Sequence, residues 1–170
     1  MQKWVQKHIK DLNEKGITFV PNVLSQNKCK YYIDRFEKLI KKFEKKRIPL
    51  NSSCQVIENP FRHDFKLIDL IYHKKIDEIL KNKIEKNYVL INANIINRIY
   101  RFFKIQKKER LGKTWHHDSR LVGNKRLEKG FSYIAITMFN DFSDDNASTL
   151  YVDKSHNRRD KPKRRFNYYA

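Results

Sequence analysis

Apolar positions along the chain follow two different rhythms. In the first half they recur at helical spacing. Trp4, Val5, His8, Ile9 and Leu12 share one face of a helix predicted over 2–15, and Gly16 is its natural stop. Ile17 to Val20 is a short β-like run closed by Pro21. Ser25 then offers an N-cap, with Leu24 before it as a staple residue. Cys29, Tyr32, Ile33, Phe36, Leu39, Ile40 and Phe43 follow at steps of three and four, which predicts an amphipathic helix over about 25–47. Asn51 to Pro60 reads as turn. A further helix is predicted over roughly 64–86, with Ile68, Ile71, Ile76, Ile79, Leu80 and Ile84 on one side.

The rhythm changes after Tyr88. From there to Ile105 β-branched and aromatic residues dominate and favour strands, and Leu90, Asn92, Asn94 and Ile96 fall on one face. Phe131 to Phe139 is a continuous apolar run, expected as a central strand buried on both sides. A turn over Asn140–Asn146 leads to a last short strand at 148–153. Helices first and strands later predict an α+β fold, with the helices packed on an antiparallel sheet or sandwich.

Composition narrows the class. The 170 residues suffice for one domain and one core. Aromatic residues make up 13% of the chain, which excludes a disordered protein, and four Gly with four Pro exclude a collagen-like or linker sequence. Two cysteines, Cys29 and Cys54, exclude a disulfide framework or a cysteine-cluster zinc site. The N-terminus lacks the apolar run of a secretory signal, and no stretch is apolar enough to span a membrane. A soluble, cytoplasmic protein is expected.

Charge adds a second candidate class. There are 38 Lys and Arg against 19 Asp and Glu, a formal excess of +19. Such an excess admits nucleic acid as a partner. The lysines, however, are spread over the whole chain and often sit beside acids, as in Glu44-Lys45-Lys46, the pattern of a solvated face. Two segments are denser: Arg98 to Lys113, and Lys154 to Arg165. Residues 158–170 are expected to form a poorly ordered basic tail, because Asn157 to Arg165 offers nothing to a core.

The chemistry-bearing cluster is Thr114-Trp115-His116-His117-Asp118-Ser119. In a strand, residues i and i+2 point to the same side. His116 and Asp118 then face one pocket and His117 the other. An imidazole and a carboxylate on one face are two arms of the 2-His-1-carboxylate triad that holds non-haem Fe(II). The alternative is a surface turn in which Asp118 bonds local backbone groups. Asn92 and Asn94 are candidate pocket residues, and Lys104 is a candidate partner for a carboxylate; ordinary sheet bonding and a solvated strand lysine are the competing roles. His63-Asp64 is an adjacent pair whose side chains are not expected to converge. Cys29 is expected in the core and Trp4 as a packing anchor.

Four segments in order resemble the phytanoyl-CoA dioxygenase family of Fe(II)/2-oxoglutarate oxygenases. Gly16-Ile-Thr-Phe-Val-Pro21-Asn-Val-Leu-Ser25 is similar to that family's opening strand and the start of its first long helix. Trp115-His116-His117-Asp118-Ser119 resembles its W-H-x-D-S metal motif. The run 131–139 ending in Asn140-Asp141 follows. Asn146 to Asn157 resembles the N-G-x-x-x-x-V-P-G-S-H segment, with Ala147 for its Gly and Asp153-Lys154 for its Pro-Gly.

The resemblance implies a double-stranded β-helix (a cupin-like jelly roll) under the N-terminal helices, over residues 1–157. It implies Fe(II) held by His116 and Asp118, 2-oxoglutarate as cosubstrate, and hydroxylation of a small organic substrate. The family's second iron-binding His and its cosubstrate Arg follow the S-H segment at a distance this chain does not reach, so an incomplete jelly roll is expected. By the match, His156 is the S-H histidine, which is not usually a ligand; the alternative is that it substitutes for the missing one. A basic nucleic-acid-binding module without oxygenase activity is the rival function.

Overall fold

The computed structural model describes residues 1–45, 54–84, 88–98, 132–141, 149, 151–157 and 168–169. Helix α1 spans Lys3–Glu14 and helix α2 spans Gln26–Lys45, both where the apolar spacing predicts them. Ser25 caps α2: its Oγ accepts from the Lys28 amide at 3.3 Å, and its carbonyl takes the first helical bond from Cys29 at 2.9 Å. Gly16 ends α1 with φ +81°, a conformation in which a glycine pays no Cβ penalty. Helix α3, Lys74–Ile84, packs against α1.

Strand β1 covers Cys54–Glu58 and β2 covers Asn94–Arg98. They pair antiparallel in the register Ile57↔Ile95 and Val56↔Ile96. The register explains the packing. Ile57, 2% exposed, and Ile95 turn toward α2, where they meet Tyr32, Phe36, Leu39 and Leu67 in the main core. Leu24, Ile40, Phe43, Leu70 and Phe139 complete that core at its margins. Ile96 points the other way and is 54% exposed. Arg35 on α2 closes the side of the core by gripping Asp64 with two nitrogens, at 2.5 and 2.6 Å. That grip holds the Asp64 carboxyl below the usual carboxylate range.

Strand β3, Tyr151–Val152, pairs antiparallel with β4, Tyr168–Tyr169, so two residues of the basic tail have a sheet partner. The remainder of 158–170 lies outside the described residues.

Several expectations change. Residues 54–58, expected within a turn, form β1; the turn-forming residues on either side mask a β-branched pair, Val56-Ile57. The helix expected over 64–86 divides: Phe65–Leu70 is a 3-10 segment, and α3 begins only at Lys74. Asp64 accepts from the Lys66 amide at 3.1 Å and so starts the tighter turn. Ile17 to Val20 is irregular, and its Thr18 hydroxyl bonds to side chains of α1. The largest change concerns the run expected as a central two-sided strand. Residues 132–139 are irregular, and Ile134, Ile136 and Met138 are exposed. An apolar run becomes a buried strand only where neighbours pair with both its edges; among the described residues none does. Phe139 alone enters the core, its ring 5.0 Å from that of Phe36. The described residues thus give a mixed helix-and-sheet molecule with two small antiparallel sheets.

Candidate functional site

The residues singled out for metal binding, His116 and Asp118, lie outside the described residues, as do His117 and Lys104. Among the described residues no group of three or more His, Cys, Asp and Glu is placed to hold a metal ion. The donor set itself fits Fe(II), since an imidazole nitrogen and a carboxylate oxygen are two members of the facial triad.

Asn94 opens β2 opposite Glu58 and shares the sheet face of Ile96, the face turned away from α2. Asn92 precedes the strand. Both amides are exposed, as is Leu90 at 52%. Leu90, Asn92, Asn94 and Ile96 are all expected on one strand face; the ladder itself starts only at Asn94.

His156 is placed at the C-terminal end of α1. Its Nε2 donates to the Asn13 carbonyl oxygen at 3.1 Å, and the Asn157 amide lies 3.0 Å from the same nitrogen. A carbonyl only accepts, so the bond to Asn13 belongs to the tautomer with the hydrogen on Nε2, in which that nitrogen does not accept from the Asn157 side chain. Two residues earlier, the Lys154 amide donates to the Lys15 carbonyl at 2.9 Å. A short network runs beside it. His8 Nδ1 bonds the Thr18 hydroxyl at 2.7 Å, and that hydroxyl reaches Asp11 at 3.5 Å. Burial, with Lys7 nearby, pushes the His8 pKa below its ordinary value. Lys15 bonds Asp11 at 2.7 Å and pulls that carboxyl downward.

A second polar cluster was not read from the sequence. Asp77 on α3 is 9% exposed and accepts from Lys81 Nζ at 2.8 Å, from the Tyr72 hydroxyl at 3.1 Å and from the Tyr88 hydroxyl. Lys81 and then Tyr88 hold the Asp77 carboxyl below the carboxylate range. Burial, then the bond to Asp77, pushes Tyr88 up to about 12. The Asp77–Lys81 spacing of four is visible in the sequence, but the tyrosines converge only in the fold. A cleft of about 460 Å³ beside it is lined by Gln2, Lys74 and Glu78 as well. All three donors to Asp77 belong to the fold's own bonding, which leaves the carboxylate committed to structure.

His63 and Asp64 diverge as expected, Asp64 to Arg35 and His63 to an edge contact with Phe43 at 4.7 Å. Cys29 is a half-buried free thiol, and Trp4 packs edge-on to His8 at 5.8 Å.

No helix among the described residues is long and apolar enough to cross a membrane. Neither a curated protein nor a solved structure matches the chain at a significant level. The family model for phytanoyl-CoA dioxygenase (PhyH) matches residues 12–170. That family is cupin-like and its chemistry is that of Fe(II)/2-oxoglutarate-dependent oxygenases; the match lends no support to a nucleic-acid-binding module. The match takes in the last turn of α1, the whole of α2 and both small sheets, and on that ground the chain belongs to the phytanoyl-CoA dioxygenase family.

Proposed function

We propose that the chain acts as a 2-oxoglutarate-dependent oxygenase on a small organic substrate, with His116 and Asp118 as two of the iron ligands. The observation that carries this reading is the Trp115-His116-His117-Asp118-Ser119 motif, standing inside a family match over residues 12–170. On a strand, alternation would bring the His116 imidazole and the Asp118 carboxylate to one side and turn His117 away. His116 serves in its neutral form, which leaves one ring nitrogen free to ligate while the other donates a hydrogen bond. Asp118 serves as the anion and offsets part of the metal's charge. Bound Fe(II), together with 2-oxoglutarate, supplies the oxidising chemistry; the protein contributes binding and orientation.

The jelly roll is part of the same proposal. A two-stranded sheet packed on α2 by one face, with Asn94 and Ile96 on the other, suits a barrel wall whose second face lines a pocket. Asn94 there brings two N–H donors and one carbonyl acceptor to a substrate. His156 is a poor choice for the third ligand, because its Nε2 is engaged by the Asn13 carbonyl.

The test is calorimetric titration of 2-oxoglutarate in the presence and absence of Mn(II), a redox-silent stand-in for Fe(II). Binding is expected only with the metal, and is expected to vanish in Asp118→Ala. Equal binding without metal contradicts the reading.

A further inference from the structure

We infer that helix α1 takes its C-terminal cap from the loop 154–157, with His156 as the capping side chain, so that residues about 140 positions apart form one structural joint. A helix leaves its last four carbonyls without intrahelical partners. At the end of α1 the chain meets part of that need locally: the Lys15 amide bonds Asp11, and the Gly16 amide bonds Leu12 at 3.2 Å. This is the single-bond form of the left-handed glycine cap. Neither bond engages the carbonyls of Asn13 and Lys15. The distant loop supplies a donor to each, His156 Nε2 to Asn13 at 3.1 Å and the Lys154 amide to Lys15 at 2.9 Å.

Gly16 has a second role in this joint. The His156 ring lies directly over its α-carbon. A Cβ on residue 16 would stand 2.3 Å from Nδ1 and 2.7 Å from Cγ, well inside contact distance. Gly16 is therefore needed twice, for its φ of +81° and for the space the imidazole occupies. The ring cannot remain on the joint and also turn toward a metal. The S-H histidine of this chain is thus a fastening for the N-terminal helix. The inference goes beyond the oxygenase reading and does not depend on it, since none of its measurements involves metal or 2-oxoglutarate.

The test is a double-mutant cycle on unfolding, using Gly16→Ala and His156→Ala singly and together, with amide exchange at Lys154 as a second readout. Gly16→Ala carries a backbone cost in either background, but the clash exists only while the imidazole is present. Gly16→Ala is expected to raise the unfolding equilibrium constant by a factor at least fivefold larger in the wild-type background than in the His156→Ala background. Exchange at Lys154 is expected to quicken tenfold or more in either single variant. Equal costs in the two backgrounds overturn the inference, and so does Lys154 exchange unchanged in His156→Ala. Should the double variant not fold, Lys154 exchange in the two single variants decides the matter.

Discussion

The chemistry of His8, Asp77 and Tyr88 departs from that of a peptide in water, and each departs for a traceable reason. His8 is 7% exposed on α1 and donates from Nδ1 to Thr18, which in turn leans on Asp11. Burial favours the neutral ring, so its folded pKa lies below the ordinary 6.5. The unfolded chain then binds the proton more readily, so stability must fall as the pH falls. The stabilising contribution is complete above about 6.5 and is lost as pH drops through the lower folded value. Urea unfolding at pH 7.5 and 5.5 should show the wild-type protein losing more stability on acidification than His8→Gln. Equal losses would mean that burial does not control this ring. The sequence placed His8 on the apolar face of α1 but gave no sign of Thr18 as its partner, because that bond needs the chain to turn at Gly16 first. The Asp77 cluster was hidden for the same reason: Tyr88 reaches it from beyond the end of α3.

Helices α1 and α2 were legible because their defining contacts lie three and four residues apart. Strand β1 was not, because its partner β2 begins 36 residues after it ends and its flanks carry turn formers. The run 131–139 failed in the opposite direction: its composition suits a central strand, yet composition says nothing of whether two neighbours arrive to pair with it. The turn before Ser155 shows what a family pattern adds. Lys154 stands where the family has glycine, and it adopts φ +59°, the left-handed conformation that costs a side-chain-bearing residue about 1–2 kcal/mol. Its amide, not its side chain, makes the bond to Lys15. Lys154→Gly should therefore stabilise the protein, by about 1 kcal/mol once the extra backbone entropy of glycine is set against the relieved strain. Thermal unfolding of the two proteins checks this; a lower midpoint for Lys154→Gly would show that the turn is not strained.

At the scale of the molecule, the family assignment orders the remaining facts. One face of the β1–β2 sheet is buried under α2 and the other is open, as expected of helices laid on one side of a larger sheet structure. The excess charge of +19 admits nucleic acid as a partner, but the family match gives that reading no support. A candidate metal site can be named from the sequence where most of the sheet cannot, since metal ligation requires particular atoms at particular spacing and five residues carry the motif. What the spacing leaves to experiment is the register: whether His116, and not His117, faces Asp118. Titration of Mn(II) followed by electron paramagnetic resonance answers this directly, since bound Mn(II) loses its sharp free-ion signal. The account predicts that His116→Ala and Asp118→Ala each weaken Mn(II) binding by roughly tenfold or more, while His117→Ala leaves it within about twofold of the wild-type protein. Equal damage from His116→Ala and His117→Ala, or no damage from either, would contradict it.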